Sequence, residues 1–231
     1  MQRRKFTTGL VCAGGLWGLA GGLPARAAGI TESDAALGVR AALERGAIAA
    51  VGLLGRSGGF LDNPKVRIPL PGYLNEVARL AKFTGQQKRV DELIVAMNRA
   101  AEAAVPKATG LLVNAVKTMS VEDGRQILTG GDNAVTQFFA AKTRAPLNVE
   151  FLPIVTRATE KVALADKYNA LAAKAATTGL VKKEDASIQQ YVTGKALDAL
   201  YLMIGEEERK IRQNPAATGS AILKKVFGSL K

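Results

Sequence analysis

Apolar residues recur at intervals of three and four along almost the whole chain, while runs of β-branched residues stay short. That period belongs to amphipathic helices, and the abundant alanine, leucine, lysine and glutamate all favour helix. The pattern predicts an all-α fold: a single-domain helical bundle of about seven helices, with one long extended strap after the first helix.

Local signals place the elements. A first helix is expected from Ser33 to Leu54, with Thr31 and Asp34 as its capping box. A second follows Pro71 and ends near Gly85. Val90, Leu93, Ile94, Met97, Ala101 and Ala104 share one face of a third, which Pro106 kinks or restarts before Leu111 to Met119. Ser120 with Asp123 caps the next helix. Thr129 to Gly131 stop it, and Asp132 opens a helix carrying Phe138 and Phe139. Pro146 is expected to end that helix, and Pro153 to sit in the first turn of another reaching about Thr178 and stopped by Gly179. The helix from Ser187 to Arg212 is apolar on nearly every side between Ala196 and Ile204, Asp198 excepted, which suits the centre of a bundle. Glu206, Glu207 and Glu208 mark its exit into solvent, and Asn214 and Pro215 end it. A last amphipathic helix carries Ile222, Leu223, Val226 and Phe227.

Between Gly55 and Gly72 the helical period lapses. Connections this long are uncommon in compact domains, and this one is too apolar for disorder. Val66, Ile68 and Leu70 alternate with Lys65 and Arg67, so the apolar set can lie on the bundle while the cations face water. Two readings stand: a strap that covers core, or a partner-binding lip in which Phe60, Lys65, Arg67 and Leu70 make the contacts.

The amino terminus reads as an export leader, residues 1–27, followed by one helical domain, residues 28–231. Arg3, Arg4, Lys5 and Phe6 precede a glycine-diluted apolar stretch and an Ala25-Arg26-Ala27 exit. The paired arginines are twin-arginine-like, and a general secretory leader is the alternative. Glycines between Gly9 and Gly22 make the stretch a poor membrane span, so no transmembrane span is expected in the mature chain. The expected location is periplasmic or secreted. The leader holds four of the 32 basic residues and none of the 20 acidic ones, leaving 28 against 20 and a mature charge of +8. Such a balance favours anionic surfaces without selecting one. An exported address makes nucleic acid an unexpected partner.

Available chemistry is narrow. Histidine is absent, and the only cysteine, Cys12, falls in the leader. The mature chain therefore has no imidazole or thiolate for a catalytic triad, a structural zinc site or a disulfide. No Walker loop, calcium loop or serine followed three residues later by lysine occurs in it. No catalytic residue, metal or cofactor is assigned. Trp17, the only tryptophan, also lies in the leader, which removes the strongest stacking platform for sugars. One polar stripe remains: Asp91, Asn98 and Glu102 lie on a common helical face, with Arg99 a turn away and Lys195 and Asp198 as plausible opposing groups. It reads either as a satisfied network that fixes helix register or as a carboxylate pair for acid-base work.

Several segments together resemble an uncharacterised bacterial family known only as domain-of-unknown-function family 4197. They are Gly58-Gly59-Phe60-Leu61-Asp62-Asn63-Pro64, Arg67-Ile68-Pro69-Leu70-Pro71, Met97-Asn98-Arg99-Ala100-Ala101-Glu102, Gln190-Tyr191-Val192-Thr193, and Lys195 to Pro215. The resemblance runs from about Asp34 to Gly228 and implies export and a helical fold. It carries no reaction, ligand or catalytic residue. The functional expectation is an exported, non-catalytic envelope protein that binds an anionic lipid surface, a hydrophobic ligand or a protein partner. A carboxylate-dependent hydrolase acting on an envelope substrate is the alternative, with Asp91, Glu102 and Asp198 as its candidates.

Overall fold

The computed structural model describes residues 32–74, 79, 83–131, 134–162, 165, 166, 168–170, 187–214 and 217. Among them the regular structure is all helical. α1 spans Glu32–Leu54, α2 Gln87–Ala104, α3 Ala108–Lys117, α4 Val121–Thr129, α5 Ala134–Thr159 and α6 Ile188–Gln213, with short 3-10 turns at Gly72–Leu74 and Val105–Lys107. The expected leader, Thr31 cap, Asp132 cap, stretch through Thr178 and Gly179 and last amphipathic helix, with most of the helix expected before Gly85, lie outside the described residues.

Packing centres on α6. It lies against α5 and α1 and also touches α2, while α2 and α3 pack on α5, and α3 and α4 on α1. Leu43 and Leu54 of α1, Leu93 and Met97 of α2, Leu112 of α3, Phe139 and Phe151 of α5 and Leu197, Leu200 and Tyr201 of α6 are all buried in one core. The helix ends follow local chemistry. Ser120 accepts from the Asp123 N–H at 3.0 Å while its own N–H donates to the Asp123 carboxylate at 3.0 Å, a reciprocal cap that satisfies two donors. Ser187 accepts from the Gln190 N–H at 3.2 Å, and the chain leaves the helix at Asn214. Pro106 sits in the 3-10 turn that separates α2 from α3, which then restarts at Ala108.

α5 corrects two expectations. Pro146 does not end it, and Pro153 does not begin another helix; both lie inside one continuous helix that stops at Thr159. The reason is a long apolar stripe. Val135, Phe139, Thr143, Leu147, Phe151, Val155 and Thr159 are buried at every fourth position, across both prolines. Four residues overshoot a full turn by about 40°, so the stripe winds around the helix and meets several neighbours in turn. Pro146 and Pro153, seven residues apart, both face solvent. Each interior proline costs about 3 kcal/mol, but the carbonyls they leave without amide partners belong to Lys142 and Val149, which are exposed. Burial along the whole stripe outweighs that local cost.

Two further details of α6 differ from the pattern. Its middle leaves one stripe open, Lys195, Asp198 and Leu202, the last 46% exposed. Glu208 does not lead into solvent but is buried, its backbone close to Gly46 of α1, where only a hydrogen occupies the helix crossing.

Candidate functional site: a basic groove beside a clamped loop

The connection after α1 is built of turns as far as Val66 and then runs without regular structure to Pro71. Two side chains of α2 hold it by its backbone. Asn98, fully buried, donates to the Ile68 carbonyl at 2.9 Å and accepts from the Ile68 N–H at 2.8 Å, so its amide pairs with one residue as a neighbouring strand would. It also donates to the Ile94 carbonyl at 2.8 Å. One turn later, Glu102 accepts from the N–H groups of Phe60 and Leu61, both at 3.1 Å, through the same carboxylate oxygen. Its other oxygen receives the Arg99 guanidinium at 2.7 Å, and Arg99 also donates to the Ser57 hydroxyl at 2.8 Å. The loop therefore runs antiparallel to α2, residue 60 beside Glu102 and residue 68 beside Asn98.

Glycines make this path possible. Gly58 has φ +80°, a conformation that side-chain-bearing residues rarely adopt. A β-carbon on Gly59 would lie 2.3 Å from the Leu54 carbonyl oxygen, so the loop could not fold back on the end of α1 with any larger residue there.

Burial opposes the Glu102 charge and pushes its pKa up, but the Leu61 N–H, the Arg99 guanidinium and the N–H groups of Phe60 and Gly58 together outweigh it. The carboxyl is held below its ordinary range, as a fixed acceptor rather than a proton donor.

On its far side the loop meets α6. The Tyr191 hydroxyl donates to the Pro69 carbonyl at 3.1 Å, and Lys65 donates to both oxygens of Glu206 at 2.9 Å. Between loop and helix lies an open groove of about 280 Å³. Its walls carry Lys65 and Arg67 on one side, Lys195, Asp198 and Leu202 on the other. Val66, Ile68 and Ala199 supply a buried apolar floor. Asp198 is occupied by Arg144 of α5, which also lies over the Tyr201 ring at 5.4 Å. Lys195 sits 5.7 Å from the centre of the Tyr191 ring and has no carboxylate partner among the described residues; Arg67 has neither. Among the described residues, two cations without an ion-pair partner therefore share one apolar-floored groove.

The expected site residues divide accordingly. Lys65 and Arg67 are exposed, whereas Leu70, expected as a lip contact, is half-buried and packs against the core. Phe60 is no lip: its side chain is fully buried, so it anchors the loop. The polar stripe is not one network. Asp91 lies on the same face but two turns earlier, beyond the place where Ile68 pairs with Asn98; it is exposed and accepts from Gln87 at 2.8 Å. Lys195 and Asp198 do not oppose Asn98 and Glu102; loop backbone does, and the two α6 residues instead join Lys65 and Arg67 at the groove. Glu206, Tyr191 and Leu202 are not among the site residues expected from sequence. Only the open helical spacing of 195, 198 and 202 could have pointed to one of them.

Among the described residues no helix is long and apolar enough to cross a membrane, and no group of three or more acidic, histidine or cysteine side chains is arranged to hold a metal ion. Residues 29–228 match the family described as "Protein of unknown function (DUF4197)", and the chain belongs to it. No curated protein and no solved structure matches the chain.

Proposed function

We propose that this protein is an exported, non-catalytic component of the bacterial envelope that docks on an anionic surface through the groove between residues 65–69 and α6. The observation that carries the reading is the pair of cations without carboxylate partners among the described residues, Arg67 and Lys195, over an apolar floor. An unpaired cation beside apolar surface gains more from an anionic partner than one already neutralised by the protein. The twin-arginine-like leader and the mature charge of +8 support the same address and sign of partner. The rival reading, a carboxylate hydrolase, draws no support from Glu102, whose two oxygens are committed to loop backbone and Arg99.

Sedimentation with vesicles tests the reading. Vesicles rich in phosphatidylglycerol are expected to carry the protein down at low salt and release it at high salt, while neutral phosphatidylcholine vesicles leave it in solution. Lys65→Glu combined with Arg67→Glu is expected to abolish sedimentation with unchanged circular dichroism. No binding to anionic vesicles at low salt refutes the proposal.

A further inference from the structure

We infer that the groove is a headgroup site: it takes the phosphate of an anionic phospholipid between Arg67 and Lys195, with Leu202 at the boundary of the acyl chains. The inference rests on the docking proposal above and narrows it from a charged face to one ligand in one place.

Charge complementarity selects the anion. Among the described residues Lys65, Arg67 and Lys195 line the groove and Arg144 reaches its Asp198; the protein itself pairs Lys65 with Glu206 and Arg144 with Asp198. Arg67 and Lys195 are left, one on each wall. A guanidinium offers a planar pair of donors suited to phosphate oxygens, and an ammonium adds a compact point charge. The loop wall is held in place by Asn98 from α2 and by Tyr191 from α6, so the Arg67 backbone does not need to be ordered by the ligand.

Apolar neighbours select a lipid over a free anion. Leu202, nearly half exposed, follows Lys195 by seven residues, two turns along the same open stripe of α6. Pro69 and Ala199 lie in the same lining. A free phosphate would use the cations and leave this surface wet; a phospholipid at a membrane surface uses both.

The full-length chain carrying Trp17→Phe and Leu202→Trp places the only tryptophan at the proposed acyl boundary. With phosphatidylglycerol vesicles its emission is expected to shift to the blue and to be quenched by brominated acyl chains. Excess inorganic phosphate at constant ionic strength is expected to leave binding unchanged. In the otherwise unaltered chain, Arg67→Gln and Lys195→Gln are each expected to weaken vesicle partitioning about fivefold, and Leu202→Ser about tenfold. Lys117→Gln on α3, an exposed cation outside the groove, controls for overall charge.

If the protein binds anionic vesicles but Lys117→Gln weakens binding as much as the groove variants, or the tryptophan emission does not move, the headgroup site is wrong while the docking proposal stands. Displacement by inorganic phosphate would make the ligand a free anion and overturn the lipid assignment. Absence of any vesicle binding defeats both.

Discussion

Replacing Asn98 gives the sharpest test of how the loop is held. Asn98→Ala removes an amide that is fully buried and makes three hydrogen bonds, two of them to the N–H and carbonyl of Ile68. Ile68 is itself 1% exposed, so neither of its backbone groups has ready access to water. Leaving a buried donor or acceptor without a partner costs about 1–3 kcal/mol each, and partial relaxation of the loop brings the total to about 3 kcal/mol. For a domain of this size that corresponds to a fall in Tm of roughly 6–12 °C. Differential scanning calorimetry of wild type and variant measures it directly. Asn98→Asp adds a diagnostic: it keeps the acceptor for the Ile68 N–H, loses both donated bonds and places a charge where water is excluded. The new carboxyl is expected to titrate above its ordinary value in the folded protein. At neutral pH it should therefore be worse than alanine, and its deficit relative to wild type should shrink as the pH is lowered toward about 4. An Asn98→Ala protein melting within the roughly 2 °C typical of a neutral surface change would refute the reasoning.

Two other outcomes follow from the same structure. Because the folded Glu102 carboxyl is held below its ordinary range, its contribution is present above the unfolded value of about 4.3 and lost as the pH falls through the folded value. Glu102→Gln should thus destabilise by about 1.5–3 kcal/mol at neutral pH and flatten the acid limb of a Tm against pH profile; an unchanged limb would show that another group sets it. Pro146→Ala is expected to raise Tm, by about 1–2 kcal/mol of stability, because the residue is exposed in a helix interior where proline is costly. A neutral or negative effect would mean that the chain does break there.

What the sequence made legible was local. The Ser120–Asp123 cap, the Ser187 and Asn214 ends of α6 and the turn at Pro106 all depend on residues within a few positions of one another, and each is where the pattern placed it. α5 was misread because proline is a strong local signal, whereas the fourfold stripe from Val135 to Thr159 acts only by summing along 26 residues of helix. The groove was legible in halves: the alternation of Lys65 and Arg67 with Val66 and Ile68 outlined one wall, but Lys195, Asp198 and Leu202, which form the other, lie far away in sequence. Asn98 and Glu102 were recognised as polar groups in need of partners. Their partners proved to be backbone amides and a carbonyl, which leave no trace in residue identity.

The clamp on residues 60–68 has one more consequence. A wall fastened to two different helices cannot swing as a lid without breaking bonds to both, so the proposed ligand would meet a backbone already in place. Association of the kind proposed would then cost little backbone freedom on the loop side, which favours selectivity even in a shallow contact.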